Sequence, residues 1–183
     1  MKELSLNILD ITENSVKAGA ALTEIIINED KHMLILVIND NGKGMSEETV
    51  KSVTDPFYTT RTTRKVGLGI PLLKLAAEQT GGSISIESKQ QSSTSTEHGT
   101  RVTASFVKDH LDFTPLGDVI STVVTLIQGH PDRDFVFTHN MPNGCVYLST
   151  LDLREVLEDV PLDSYEVITW IRENLDEQYN DLI

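Results

Sequence analysis

Three short polar segments hold residue types that can do chemistry, at spacings that bring them together. In the first, Asn7, Asp10, Asn14 and Lys17 recur at three- and four-residue intervals, so a helix would set the Asp10 carboxylate and the Asn14 amide one turn apart. A carboxylate beside an amide oxygen is a hard-oxygen pair of the kind Mg²⁺ accepts alongside phosphate and water, and Lys17, one turn on, can pair with a phosphate. An ordinary solvated helix face has the same pattern. The second segment is Asp40-Asn41-Gly42-Lys43-Gly44-Met45, after an apolar run. An acidic residue leaving a strand into a two-glycine turn can accept from an exocyclic amine, and the glycines let backbone approach a flat ring. A calcium loop is excluded, because EF-hand spacing from Asp40 reaches Lys51 where a bidentate glutamate is needed. The third segment runs from Asp55-Pro56-Phe57-Tyr58-Thr59-Thr60-Arg61, past Arg64 and Lys65, into Gly67-Leu68-Gly69-Ile70-Pro71. Glycines opening a helix offer N–H groups and partial positive charge to an anion. The threonine- and arginine-rich stretch upstream is long enough to close over a ligand, although a solvated basic loop is the plainer alternative.

These residues need elements to hold them. Leu4, Ile8, Ile11 and Ser15 make a mostly apolar line at helical spacing, which predicts a helix of about 15 residues ending near Gly19. The β-rich runs 24–28 and 33–38 predict a hairpin across Glu29-Asp30-Lys31. Ser46, Glu47 and Glu48 open a short helix with the correct dipole signs. Pro71 fits a first helical turn, and Gly81-Gly82 closes that helix. Two more strands, 83–88 and 100–107, flank a serine-rich loop. Strands in sequential pairs favour hairpins in a mixed sheet over a doubly wound parallel one. The expected class is α+β, a two-layer sandwich whose mixed β-sheet is covered on one face by helices, with a small α+β C-terminal unit.

The chain has 183 residues and a net charge of −13, so its field repels phosphate backbones and anionic lipid. Nucleic acid and membrane are therefore not expected as partners. A single cysteine, Cys145, excludes an internal disulfide framework and suits a reducing compartment, and no apolar run approaches signal-peptide or membrane-spanning length. A cytoplasmic location is expected. Residues 1–108 hold 12 basic and 13 acidic residues, whereas 109–183 hold 3 and 15. That break suggests two units. The second predicts a helix over 118–128, strands over 134–138 and 145–150, a short helix carrying Leu153, Val156 and Leu157, and a final helix carrying Tyr165, Ile168, Ile171 and Leu175. Its apolar stripes need something to cover, either the first unit or a partner protein.

Together, in this order, the three segments resemble the GHKL superfamily of ATP-binding domains (the Bergerat fold), shared by gyrase, heat-shock chaperones, histidine kinases and MutL. Residues 9–20 look like its N box, Asp40 to Met45 like the first glycine box, Asp55 to Tyr58 like the phenylalanine box, and Gly67-Leu68-Gly69 like the second glycine box. Gly99-Thr100 looks like the terminal glycine-threonine pair, so the resemblance spans about residues 3–107. It implies that Asn14 ligates Mg²⁺ and Lys17 contacts phosphate. It implies further that Asp40 binds the adenine amino group with Thr100 nearby, and that Gly42, Gly44 and Met45 shape the base pocket. Thr59, Thr60, Arg61, Arg64 and Lys65 would belong to the ATP lid, and Gly67, Leu68 and Gly69 would set N–H groups on the phosphates. The whole chain is also similar to stand-alone histidine-kinase-like ATP-binding proteins of anaerobic bacteria.

Two departures shape the functional expectation. In the ATPases of this superfamily a glutamate four residues before the Mg²⁺ asparagine acts as general base, and here that position is Asp10. One methylene less draws the carboxylate back by about 1 Å, and misplacement on that scale costs roughly 100-fold, so slow hydrolysis is expected. The N box also lies almost at Met1, and none of the five histidines precedes an acidic residue as a phosphoacceptor histidine usually does. Self-phosphorylation in cis is not expected, nor are the transducer functions of full MutL or gyrase. The reading is an Mg²⁺-dependent ATP-binding protein that hydrolyses ATP slowly or transfers phosphate to a partner protein in signal transduction, with 109–183 as a docking or regulatory unit. A non-catalytic, ATP-gated binding switch is the alternative.

Overall fold

The structure is a computed structural model that describes residues 3–54 and 68–182. Helix α1 (Leu4–Lys17) forms where the apolar line required it: Leu4, Ile8, Ile11 and Ser15 are all buried. Fully burying each of the aliphatic three is worth about 1.5–3 kcal/mol relative to leaving it exposed. Lys17 sits in the last turn, where a cation suits the dipole. Gly19 follows at φ +78°, the left-handed conformation that ends a helix at least cost with glycine.

Six strands make one sheet: β1 (Leu22–Glu29), β2 (Met33–Asp40), β3 (Ser83–Lys89), β4 (Gly99–Val107), β5 (Asp134–Met141) and β6 (Gly144–Ser149). Their order across the sheet is β3-β4-β2-β1-β5-β6. Neighbours are antiparallel except β1 and β5, which run parallel with Leu22 opposite Asp134 and Asn28 opposite Asn140. Alternate residues such as Ile25, Leu36, Ala104 and Phe137 are buried beneath the helices, while Ile35 and Tyr147 on the other face are exposed. The helices are α2 (Glu47–Thr54), α3 (Gly69–Gln79), α4 (Val119–Gly129), α5 (Thr150–Leu157) and α6 (Tyr165–Asn180). Helix α1 packs between α3 and α4, and α6 packs on α4 and β6 through Val167, Ile171 and Leu175. This is the α+β fold that the strand pairing predicted.

The change of charge at residue 108 has no counterpart in the sheet, since β5 and β6 extend the edge that β1 would otherwise present. Backbone N–H groups of Leu4 and Ser5 donate to the carbonyls of Pro115 and Leu116 at 2.9 and 2.8 Å, and His130 Nε2 lies 2.8 Å from Glu13 Oε1. Leu4 and Ile8 share one core with Val123, Leu126 and Phe137. The outer strand β6 has its edge covered by a side chain: Gln178 accepts from Tyr147 N–H at 2.9 Å and donates to the Tyr147 carbonyl at 3.0 Å. Near that end His139 is 2% exposed, with Nδ1 2.7 Å from the Tyr179 hydroxyl and Nε2 3.6 Å from Glu29 Oε1. Lys108 Nζ lies 3.3 Å from the other Glu29 oxygen. Burial pushes the His139 pKa down and the Tyr179 pKa up. Among the described residues no helix is long and apolar enough to cross a membrane.

Candidate functional site

Asp40, the last residue of β2, stands between Thr23 of β1 and Thr100 of β4 in the ladder. Two donors fix its carboxylate. Ser15 Oγ on α1 donates to Oδ2 at 2.7 Å, and the Gly42 N–H donates to Oδ1 at 2.8 Å. A cavity of about 220 Å³ opens beside it, with walls from Ile11, Ile38, Val53, Ile70 and Val102 and polar groups from Asn14, Asp40 and Thr100. Apolar walls with a few convergent polar groups suit a flat ring that carries one polar edge.

The glycine turn after Asp40 is clasped from two sides. Lys43 N–H donates to the Ala18 carbonyl at the end of α1 at 3.0 Å. Across the turn, Met45 N–H donates to Ser88 Oγ at 2.8 Å, Gln91 N–H donates to the Lys43 carbonyl at 2.7 Å, and His98 Nδ1 lies 2.6 Å from the Gly42 carbonyl oxygen. Gly44 has φ +67°, and a Cβ there would stand 2.0 Å from the Lys89 carbonyl oxygen. Only glycine lets the turn lie this close to β3. Ser88 Oγ also lies 2.8 Å from Thr100 Oγ1.

Asn14, Asp40, Gly44, Met45 and Thr100 line the same cavity, and Gly42 orients Asp40. Lys17 is exposed on the last turn of α1. Asp10 is exposed one turn before Asn14, and Gly69, the first residue of α3, lies against it: a Cβ there would come within 3.1 Å of Asp10 Cβ. Leu68 is exposed just ahead of α3. Thr59, Thr60, Arg61, Arg64, Lys65 and Gly67 lie outside the described residues. Asn7 departs from the polar face on which the spacing put it; it is 1% exposed. Sequence reasoning missed Ser15, Ser88 and His98. Ser15 carried a signal, as the one hydroxyl in an otherwise apolar helical line. Ser88 and His98 carried none, because their roles arise only when β3 and β4 fold against the turn.

As to metal, the half-buried Asn14 lies one turn from the Asp10 carboxylate, and among the described residues no group of three or more His, Cys, Asp or Glu side chains is assembled. The donor set fits a cation that takes most of its ligands from phosphate and water.

Residues 2–110 match the family described as histidine kinase-, DNA gyrase B- and HSP90-like ATPase. Among curated proteins the chain is 37% identical over 59 residues to the C4-dicarboxylate transport sensor protein DctB of Pseudomonas aeruginosa, covering 32% of this chain and 10% of that one. It is 34% identical over 101 residues to the sensor histidine kinase YvrG of Bacillus subtilis, covering 52% and 16%. The matches therefore span only a small fraction of those relatives' length. Among solved structures, the N-terminal domain of a DNA repair protein is similar with a TM-score of 0.59 at 18% identity, covering 81% of this chain and 53% of that one. The ATPase domain of Aquifex aeolicus MutL complexed with ADP has a TM-score of 0.54 at 15% identity, covering 86% and 70%. Coverage of that extent reaches past residue 110, so the likeness of fold continues into β5 and β6. With the match over residues 2–110, the chain belongs to the histidine kinase-, gyrase B- and HSP90-like ATPase family.

Proposed function

We propose that the protein binds Mg²⁺-ATP in the cavity beside Asp40 and hydrolyses it slowly or passes its γ-phosphoryl group to a partner protein. The observation that carries this reading is the Asp40 carboxylate, held by Ser15 and Gly42 in the wall of a largely apolar cavity. A carboxylate so fixed accepts from the exocyclic amine of adenine. Asn14 would hold Mg²⁺, which supplies charge neutralisation on the phosphates. Asp10, exposed where α1 meets the start of α3, is the candidate to orient and deprotonate the attacking water or hydroxyl. Arg61, Arg64 and Lys65, with Thr59, Thr60, Gly67, Leu68 and Gly69, would surround the phosphates, and Lys17 would contact them.

The partner is read from the C-terminal half. Helix α6 exposes Trp170 in a stripe with Glu166, Glu173 and Glu177, and Tyr165 is 81% exposed beside it. Aromatic surface among carboxylates supports protein docking and opposes nucleic acid or anionic membrane.

Phosphate release from saturating Mg²⁺-ATP tests the proposal. Wild type is expected to turn over slowly, with Asp10→Asn lowering the rate at least tenfold at unchanged ATP affinity and Asn14→Ala abolishing it. Release unaffected by both substitutions would refute the assignment. ATP binding without release would leave a kinase awaiting its acceptor or a nucleotide-gated switch, which protection of residues 59–66 from protease by a non-hydrolysable analogue would favour.

A further inference from the structure

Asn41 ties the start of the turn beside Asp40 to β1, its Oδ1 accepting from Ala21 and Leu22 N–H at 2.8 and 3.0 Å, but Gly42 has no side chain to hold it, and its N–H sets the position of the Asp40 carboxylate. Gly42 is bonded on both sides: its N–H, in the Asn41–Gly42 peptide, donates to Asp40 Oδ1 at 2.8 Å, and its carbonyl, in the Gly42–Lys43 peptide, lies 2.6 Å from His98 Nδ1. A carbonyl oxygen only accepts, so the imidazole carries its proton on Nδ1 and donates it. His98 is half-buried and directly precedes Gly99, whose φ is +138° and whose own Cβ would stand 1.9 Å from the Asp40 carbonyl oxygen. That close approach brings the His98 backbone to the turn, and the ring spans the remaining gap.

We infer that His98 is a positioning residue for the base end of the cavity, restraining the Gly42 backbone through its carbonyl so that the Gly42 N–H holds the Asp40 carboxylate toward the exocyclic amine of the base. The inference rests on reading the cavity as an adenine site. Without the imidazole, the Gly42 carbonyl loses its one cross-turn partner. The turn remains tied through Asn41, Lys43, Met45 and Gln91, but Gly42, whose N–H aims Asp40, loses one of the restraints on its backbone. His98 does not line the cavity, so its effect travels through Gly42 to Asp40 and reaches only the base.

Titrations with ATP and with adenosine, on wild type and on His98→Ala, His98→Asn and Asp40→Asn, test this. His98→Ala should weaken ATP and adenosine by the same factor, up to about tenfold, the upper scale of one neutral hydrogen bond. His98→Asn should restore both, because the asparagine amide presents an N–H near the position of Nδ1. Equal affinities in wild type and His98→Ala, while Asp40→Asn is weakened, would overturn the role of His98 and leave the adenine reading standing. A loss for ATP with none for adenosine, or no rescue by asparagine in a protein of unchanged melting temperature, would also overturn it. If Asp40→Asn binds both as wild type does, the adenine reading falls and the inference falls with it.

Discussion

Asp40 draws its two donors from parts of the chain 25 and 2 residues away, and neither alone defines the carboxylate plane. With Ser15 engaged on Oδ2 and Gly42 on Oδ1, the carboxylate cannot swing toward solvent when a ligand arrives, which is the sense in which the site is preorganised. Asp40→Asn replaces an acceptor with a group that must present its N–H to one of these donors or to the ligand, and is expected to weaken ATP at least tenfold. Ser15→Ala removes one donor without adding bulk and is expected to weaken it about three- to tenfold, the net scale of one intramolecular hydrogen bond. Isothermal titration of both variants checks the pair; Ser15→Ala binding as wild type would remove α1 from base recognition. The residues so placed were only partly legible. Asn14 and Asp40 announced themselves by type and position and Thr100 only through the family resemblance, whereas Ser88 and His98 act through contacts between strands that no local spacing encodes.

At the scale of elements, legibility followed the range of the interactions. Helix α1 and the β1–β2 hairpin were read within a few residues of their ends, because Leu4, Ile8 and Ile11 set one period and the glycine at 19 set the stop. The parallel pairing of β1 with β5 was not legible: it joins residues from opposite sides of the change in charge, and composition weighs charge and not pairing. Helix α4 shows how local chemistry supports that long-range contact. Asp118 Oδ1 accepts from the Ser121 N–H at 2.8 Å as an N-cap, and the Ser121 side chain first and then this N–H pull the Asp118 pKa down. Thr122 on the same helix donates to the Ser5 carbonyl of α1 at 3.2 Å. Asp118→Ala is expected to lower unfolding free energy by about 1 kcal/mol, read as a shift in denaturant midpoint with the slope unchanged.

For the molecule as a whole, the burial of His139 makes stability depend on pH. His139 is held below its ordinary value of 6.5 by burial, with Lys108 pushing the same way, Glu29 opposing, and the Tyr179 hydroxyl on Nδ1. Below about pH 6.5 the unfolded chain takes up a proton that the folded chain refuses, so this group's contribution is full above that value and declines as pH falls through the folded pKa. The melting temperature is expected to drop between pH 7 and pH 5, by no more than about 1.4 kcal/mol of stability per pH unit from this site, and His139→Gln should flatten the curve. His32 works in the opposite sense, since Asp109 raises its pKa, but both groups are exposed and solvent screens them. The parallel seam between β1 and β5 has a consequence in time. During synthesis β1 leaves the ribosome long before β5 exists, and at about 5–20 residues per second the wait between Asn28 and Asp134 is roughly 5–20 s. For that interval the nascent chain carries β1 with an unpaired edge, a template for any extended segment nearby, until β5 is made and covers it.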